Sequence, residues 1–259
     1  MSLVHRWLER RLARQPSDPF DDGLPMPPPQ HLVAVAGSPG RRWFSERGRI
    51  DAQSFRNLAA RHGVDLAGPA SVLDFGCGCG RVARWLAPQV EAAGGRFTGT
   101  DLNPQLVAWC ARNLPGRYLR NRLRPPLDVP SSSIDLLYGY SVLTHLREAM
   151  SVLWLNEVFR VLRPTGVALL SFHDEGYAER FGPPGILARL EAEPYVVLND
   201  AMQGSNYMSS WTTRRHFSAM AEPFFDVLEI VEGGDGQAIA VLRPRHDAAA
   251  SAAPAAVRV

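Results

Sequence analysis

The central part of the chain alternates short apolar runs with longer amphipathic stretches. Apolar runs bounded by Gly, Pro and Asp are typical of buried strands, and apolar residues spaced three or four positions apart indicate helices that bury one face. This pattern predicts strands over 71–75, 96–100, 117–119, 134–140 and 167–173, separated by helices over 81–93, 104–113 and 145–162. Such alternation implies parallel strands with right-handed crossovers, so we expect an α/β domain.

The N-terminal part of the chain has a different pattern. Residues 3–14 are amphipathic and predict a short helix, whereas residues 16–30 are rich in Pro and Asp and are expected to be irregular. A further amphipathic helix is predicted over 51–62, ending at Gly63, because glycine is common at helix C-termini. We therefore expect residues 1–50 to form a helical and irregular extension.

The C-terminal part begins with a long segment of mixed pattern. Residues 174–224 show no repeated period, and so long a connection is typical of a lid over a ligand. Strands over 225–232 and 237–242, joined by Gly-Gly-Asp-Gly, predict a hairpin. We expect one domain over 51–243, including the insertion, and a disordered Ala- and Pro-rich tail over 244–259.

The amino-acid composition excludes several classes of function. The 28 basic residues are all arginine, so a P-loop lysine and a pyridoxal Schiff base are excluded. A formal net charge of +2 gives no sign of a nucleic-acid partner, and no apolar run is long enough to predict a membrane span. The 3 cysteines are too few for a disulfide framework, which indicates a cytoplasmic location, and their spacing predicts no metal site.

The most informative motif follows the first predicted strand. Gly76, Gly78 and Gly80 come directly after Asp74, and Asp101 ends the second predicted strand. Glycines allow a tight turn and a close approach of the backbone to a ligand, and an acid about 20 residues further on can accept both hydroxyls of a ribose. Together these residues predict a nucleoside-binding unit.

The motif alone leaves two kinds of cofactor open. Read from Gly78, the glycines also fit the pattern of a nicotinamide or flavin dinucleotide site. Asp74 favours a ligand with a cationic amino-acid end, because a buried carboxylate is costly unless it is paired. Arg81 begins a predicted helix and therefore needs an anionic partner, either a nearby acid or a carboxylate of the ligand.

Five segments of the chain resemble motifs of a known protein family. The segments concerned are Val72–Arg81, Thr98–Asp101, Leu127–Tyr138, Ser141–Leu146 and Val161–Gly166. In sequence, order and spacing they resemble successive motifs of the class I S-adenosylmethionine-dependent methyltransferases, and the glycine loop resembles the small-molecule, type 11/12-like members. The resemblance covers about residues 40–243. It implies a Rossmann-like, doubly wound, mostly parallel seven-stranded sheet with a final antiparallel hairpin, and S-adenosylmethionine as cofactor.

The resemblance also implies roles for single residues. Asp74 would serve the ammonium group of the cofactor, Asp101 the ribose hydroxyls and Leu102 the adenine ring. Where the family usually presents an acid to the adenine amino group, this chain has Asn121 and Arg122. The other cofactor contacts implied lie on the glycine loop and after the fourth strand, at Phe75, Gly76, Cys77, Gly78, Gly80, Tyr140 and Ser141.

The expected reaction is methyl transfer to a small molecule, with a hydroxyl of a sugar or secondary metabolite as acceptor. A hydroxyl needs a base, and His145 and His173 both fall just past strand ends, where ligands bind in open α/β sheets. His173 is the preferred base because two acids follow it and could orient it. His145 is expected to begin the long helix.

Acceptor contacts are expected from the insertion, at Tyr207 and Trp211. Two other functions stay open at this point. One is an NAD-dependent oxidoreductase of similar fold, and the other is a non-catalytic methyltransferase-like partner subunit.

Overall fold

Residues 22–245, which the computed structural model describes, are built around a central sheet. The helix predicted over 3–14 and most of the predicted tail lie outside these residues. The strands are β1 (Ser71–Phe75), β2 (Arg96–Asp101), β3 (Arg117–Arg120), β4 (Ile134–Gly139), β5 (Leu162–Phe172), β6 (Tyr195–Leu198), β7 (Ser209–Thr212), β8 (Phe225–Glu232) and β9 (Ala238–Pro244). The helices are α1 (Pro29–Ala36), α2 (Arg41–Arg61), α3 (Ala83–Ala92), α4 (Pro104–Asn113), α5 (Glu148–Val161), α6 (Glu175–Phe181), α7 (Ile186–Ala192) and α8 (Arg214–Ala221).

The central sheet has the strand order β3-β2-β1-β4-β5-β9-β8. β1 pairs in parallel with both β2 and β4, and β9 is antiparallel to its neighbours β5 and β8. This confirms the predicted doubly wound, mostly parallel sheet with a final antiparallel hairpin. The strand order reverses beside β1, and a crevice forms at the carboxyl ends of the strands where such a reversal occurs.

Two hydrophobic cores lie on the two faces of the sheet, and β1 contributes to both. Val72 packs in the core that includes Phe55 of α2 and Leu86 of α3. Leu73 packs in the core that includes Trp154 of α5 and Phe217 of α8. Successive residues of a strand point to opposite faces, so Val72 and Leu73 together bury β1 against the helices on both sides of the sheet. β1 is thereby fixed at the centre, with the glycine loop at its exit.

The N-terminal region differs from the prediction. α2 begins at Arg41, well before the predicted start at residue 51, and α1 lies partly in the stretch expected to be irregular. Pro29 occupies the first turn of α1, and Gly37, with a φ of 66°, ends it. Gly48 lowers the helix propensity of α2 but allows a close contact with the chain after the glycine loop.

Two later boundaries also differ from the prediction. The long helix predicted over 145–162 is a 3₁₀ turn over Leu143–His145 followed by α5, which begins at Glu148. β5 begins at Leu162, because the Arg-Pro-Thr-Gly segment expected to be a loop continues as extended chain. No helix within residues 22–245 is long and apolar enough to cross a membrane.

The insertion over 174–224 is folded. α6, α7 and the antiparallel pair β6–β7 surround a small core that includes Ile186, Val196 and Trp211. α8 then returns to the main sheet, where Phe217 stacks on Phe172 with ring centroids 4.2 Å apart. The insertion is thus a folded unit anchored beside β5.

The contact at Gly48 gives a test of how α2 is docked. A Cβ atom at this position would lie 2.0 Å from the backbone oxygen of Arg81, so Gly48→Ala must push α2 away from that segment. We expect the free energy of unfolding, measured by urea denaturation, to fall by about 1–3 kcal/mol, as for other overpacked sites. The control is Gly68→Ala, where a Cβ atom meets nothing within 4 Å. Equal stability of the two variants would contradict this docking.

Candidate functional site

A cavity of about 200 Å³ opens at the carboxyl ends of β1 and β4. Its wall comes from α1 and α2, from the glycine loop, from the end of β4 and from the turn between β8 and β9. The residues that line it are Val35, Ala36, Trp43, Arg47, Asp74, Gly76, Cys77, Arg81, Val82, Tyr140, Ser141, Asp235 and Gln237. Five of the predicted cofactor residues, Asp74, Gly76, Cys77, Tyr140 and Ser141, are among them.

The glycine loop has the backbone that only glycine adopts easily. Gly76, Gly78 and Gly80 have φ values of 78°, 55° and 81°. The space at these glycines is filled by other parts of the protein, since a Cβ atom would lie 2.3 Å from Val142 at Gly76 and 2.8 Å from Val35 at Gly78. Gly78 therefore leaves room for α1, and its contact with a cofactor stays a prediction.

Asp101 fastens the glycine loop to the end of β2. One carboxylate oxygen accepts the Gly78 N–H at 2.8 Å, and the other accepts the Asn103 N–H at 2.7 Å. Burial raises the pKa of Asp101, and these backbone hydrogen bonds oppose the rise. Each carboxylate oxygen has a second lone pair, so Asp101 can accept ligand hydroxyls while it holds the loop.

Asp74, at the exit of β1, is a buried carboxyl group on the cavity wall. It is 3% exposed. Burial raises its pKa to about 7, and the nearby charge of Asp101 adds to this, whereas the Tyr138 hydroxyl and Arg81 oppose it. A cationic ligand group beside Asp74 would stabilise the ionised form.

A cluster of charges links α2 to the chain after the glycine loop. Arg81 donates to one carboxylate oxygen of Asp51, and Arg47 Nε lies 3.5 Å from the other. The Arg81 guanidinium also lies 4.8 Å from the Tyr140 ring centroid and 5.9 Å from that of Trp43. Asp51 thus supplies the anionic partner that Arg81 needs. Sequence reasoning missed Arg47 and Trp43, because both precede the predicted start of the helix.

A chain of hydrogen bonds connects three residues of the cavity wall, Ser141, Gln237 and Asp235. The Ser141 N–H donates to Ser171 Oγ at 2.6 Å, and the Ser171 hydroxyl donates to Gln237 Oε1 at 2.8 Å. Gln237 Nε2 in turn donates to Asp235 Oδ2 at 3.3 Å. The chain joins the ends of β4 and β5 to the β8–β9 turn. Sequence reasoning missed Asp235 and Gln237 as cavity residues, because the sequence predicted only a hairpin at these positions.

The residues expected near adenine lie around the end of β3. The Asn121 side chain donates to the Arg122 carbonyl at 2.8 Å, but its own Oδ1 is buried without a hydrogen-bond partner. Such an oxygen is an available acceptor for an amino group. Gly204 of the insertion packs against both Leu102 and Leu123. The Arg122 side chain is exposed.

The structure does not place His173 on the cavity wall. The ring is 7% exposed and stacks on Tyr177 at 4.0 Å, and burial lowers the pKa of His173 to about 4. The prediction that the adjacent acids orient it is wrong. Asp174 accepts the Tyr177 N–H at 2.8 Å and pairs with Arg214 at 2.6 Å, and Glu175 accepts the Arg214 N–H.

His145 also lies away from the cavity wall. It ends the 3₁₀ turn before α5 instead of beginning the long helix, which corrects the prediction. Its Nδ1 lies 2.6 Å from the Met208 carbonyl oxygen, so Nδ1 carries the proton. Burial lowers the pKa of His145. The imidazole therefore holds the insertion against the turn after β4.

The two residues predicted to contact the methyl acceptor lie in different environments. Tyr207 is 73% exposed, whereas Trp211 is 4% exposed within the core of the insertion. The loop before Tyr207 does cross the site, because Asn206 Nδ2 donates to the Ala34 carbonyl of α1 at 2.5 Å. The insertion and α1 therefore join over the carboxyl edge of the sheet.

Comparison with known proteins gives the same picture. Residues 72–166 match the family model described as a methyltransferase domain. Over 100 residues the chain is 33% identical to a probable S-adenosylmethionine-dependent methyltransferase of Mycolicibacterium smegmatis, a match covering 39% of this chain and 37% of the relative. Over 143 residues it is 33% identical to a trans-aconitate 2-methyltransferase of Methylobacterium nodulans, covering 52% and 53%. The chain thus spans about half or less of the length of these curated relatives.

A solved structure shows the same fold. The Burkholderia thailandensis 1,6-didemethyltoxoflavin-N1-methyltransferase, solved with its namesake ligand and S-adenosylhomocysteine, aligns with a TM-score of 0.52 and 19% identity over 85% of this chain and 92% of its own. The sheet order and the glycine loop agree with the fold of that structure. The chain is similar to a methyltransferase domain over residues 72–166.

The different environments of Trp211 and Tyr207 allow structural and functional roles to be separated. Trp211→Ala should lower the free energy of unfolding by about 3–5 kcal/mol, as for other buried aromatic truncations. Tyr207→Ala should change it by less than about 0.5 kcal/mol, because the side chain is exposed. Urea denaturation of the two variants measures both values. A stable Trp211→Ala protein would contradict the packing described for the insertion.

Proposed function

We propose that this protein transfers a methyl group from S-adenosylmethionine to a small-molecule acceptor. The observation that supports this most strongly is that Asp74 and Gly76 line one cavity, while Asp101 holds the same glycine loop through the Gly78 N–H. The residues present fit the cofactor, because burial raises the pKa of Asp74, which a cationic group would lower, and Asn121 Oδ1 has no donor among the described residues. When bound, S-adenosylmethionine supplies a sulfonium methyl group that is already activated toward nucleophiles.

The residues of the chain then have mainly to bind, orient and exclude water. Asp74 is placed to hold an ammonium group, Asp101 to hold ribose hydroxyls, and Ser141 is fixed by the Ser171 hydroxyl at the end of β4. α1 and the insertion, joined through Asn206, cover this edge. Alignment of reactants in a cavity shielded from water accounts for much of the acceleration available to such a transfer.

The proposal also includes the chemical class of the methyl acceptor. A hydroxyl of a sugar or secondary metabolite needs a base at the cavity. Asp235 lines the cavity and is not needed for the cofactor, so it replaces His173 as the base candidate for a hydroxyl. A histidine with a pKa of about 4 is already neutral at pH 6, so we expect no rise in rate between about pH 6 and 8 from His173. A small-molecule acceptor, without nucleic acid, and a cytoplasmic location remain part of this proposal.

The test is incubation of the purified protein with isotope-labelled S-adenosylmethionine and a metabolite extract, followed by mass spectrometry. We expect label in one small-molecule product, and none with Asp101→Ala, in which the ribose contact and the loop anchor are both removed. Tight S-adenosylhomocysteine binding without methyl transfer across a broad acceptor panel would contradict the proposal and indicate a non-catalytic partner subunit.

The pKa of Asp74 predicts how cofactor binding depends on pH. Its folded-state pKa of about 7 lies above the ordinary value of 3.8, so without ligand Asp74 disfavours folding increasingly as pH rises from about 4 to 7. An ammonium group favours the ionised form, so affinity should increase over the range in which Asp74 loses its proton. We expect the Kd of S-adenosylhomocysteine to fall about tenfold between pH 6 and 8.

Isothermal titration calorimetry at several pH values measures this dependence. Asp74→Asn should bind S-adenosylhomocysteine more weakly and without this rise in affinity, because the amide does not titrate. The matched control is Asp128→Asn, whose side chain is 86% exposed on the surface. A pH-independent Kd in the wild-type protein would show that Asp74 does not contact the ammonium group.

A further inference from the structure

Trp43 is an exposed aromatic residue in the wall of the cavity. It is 48% exposed, although tryptophan usually buries most of its surface in a folded protein. The Arg81 guanidinium lies 5.9 Å from the centroid of its ring and covers only part of it. The rest of the ring is apolar surface at the cavity that a ligand can cover.

A second exposed aromatic residue, Phe181 of α6, packs on the turn between β8 and β9. It is 58% exposed, and a Cβ atom at Gly236 would lie 2.7 Å from its ring. α2 contacts the same turn, since a Cβ atom at Gly234 would lie 2.6 Å from Arg47 Nη2. Asp235, between these two glycines, lines the cavity. The turn therefore places a carboxylate between two helices that each carry an exposed aromatic ring.

The charged groups of the wall indicate whether the acceptor is charged. Arg47 and Arg81 are positive, whereas Asp74, Asp235 and Asp51, which pairs with both arginines, are negative when ionised. The wall without a ligand therefore has one negative charge in excess. Burial raises the pKa of Asp74 to about 7, so protonation of this group can remove the excess.

The cofactor balances these charges by itself. S-adenosylmethionine carries an ammonium group, a sulfonium group and a carboxylate, and so brings one net positive charge. Asp101 lies outside the wall, where backbone N–H groups bind both of its carboxylate oxygens. On the α6 side of the turn, Arg180 and Glu232 form an ion pair that is neutral in itself. Because no charge is left to neutralise, an uncharged acceptor fits the cavity best.

The base available at the wall restricts the acceptor further. Within residues 22–245 the wall contains no histidine, and Asp235 is the carboxylate that the cofactor leaves free. A carboxylate is a weak base, so it suits a hydroxyl that is itself acidic. A phenol hydroxyl, like that of tyrosine, has a pKa of about 10, whereas the hydroxyls of a sugar are weaker acids.

We propose that the methyl acceptor is an uncharged phenol that donates its hydroxyl to Asp235 and packs its ring against Trp43. The inference rests on the proposed function and narrows its acceptor from hydroxyl compounds in general to phenols. In the reaction, the phenol oxygen forms a bond to the methyl carbon. The carbon–sulfur bond breaks and leaves its electron pair on sulfur, and the hydroxyl proton passes to Asp235.

Calorimetric titration of the S-adenosylhomocysteine-loaded protein with four small probes tests this acceptor. We expect saturable binding of 4-methylphenol. 4-Methylanisole, which lacks the hydroxyl proton, should bind roughly 10- to 100-fold more weakly, the range for a hydrogen bond to a charged group. 4-Hydroxybenzoate should also bind more weakly, because it adds a negative charge to a balanced cavity. Methyl β-D-glucopyranoside, an uncharged sugar, should not bind.

Three variants assign the contacts to single residues. Asp235→Asn should abolish the preference for 4-methylphenol over 4-methylanisole. Trp43→Ala should weaken 4-methylphenol roughly 3- to 10-fold, as for other lost aromatic contacts, and Trp43→Phe should restore most of this affinity. The matched control is Ile50→Ala, which removes an exposed apolar side chain of the same helix away from the cavity wall. Unfolding temperatures of all variants are measured in parallel.

The proposal is overturned if Trp43→Ala binds 4-methylphenol as tightly as the wild-type protein, or if 4-hydroxybenzoate binds as well as 4-methylphenol. Binding of the glucoside without binding of 4-methylphenol also overturns it and indicates a sugar acceptor. If the wild-type protein binds S-adenosylhomocysteine but none of the probes, only this proposal fails. If it does not bind S-adenosylhomocysteine, the proposed methyl transfer fails as well.

Discussion

Two carboxylates at the ends of neighbouring parallel strands, Asp74 buried and Asp101 partly buried, are the feature on which the rest of the site depends. Asp74 lies near the carboxyl end of β1. Asp101 is the last residue of β2, the strand that pairs with β1. Carboxylates are costly to bury, and Asp101 is stabilised by N–H groups of the glycine loop and of the following turn. The loop can present its Gly78 N–H in this way only because its glycines accept positive φ values. For Asp74 the Tyr138 hydroxyl and Arg81 offset the cost of burial only in part, and a cationic ligand would offset the rest.

The sequence predicted the fold and the cofactor loop well, because both are encoded locally. β1, α4 and β8 have the predicted bounds, and Asp74, Gly76 and Ser141 line the cavity as expected. What could not be predicted depends on contacts between distant segments. The burial of His173 follows from its stacking on Tyr177 and from an insertion without periodicity. Arg47 and Asp235 meet at the cavity only because α2 and the β8–β9 turn converge there.

The covering segments are held more loosely than the sheet. The loop before β7 is attached through an exposed ion pair between Arg147 and Asp200 and through the hydrogen bond from Asn206 to Ala34. The rest of the insertion is joined to the domain by buried contacts such as the Phe217–Phe172 stack. Exposed ion pairs contribute little to stability, and segments held by few buried contacts open at low free-energy cost. A rigid sheet with a lightly attached cover suits a site that must admit a ligand and then exclude water.

The central claim is that the cavity at β1 and β4 binds S-adenosylmethionine through its nucleoside and amino-acid ends. The most direct measurement is calorimetric titration of the wild-type protein with S-adenosylhomocysteine and, separately, with NAD. The account predicts saturable binding of one S-adenosylhomocysteine per chain and no heat of binding with NAD. Binding of NAD without binding of S-adenosylhomocysteine would contradict it.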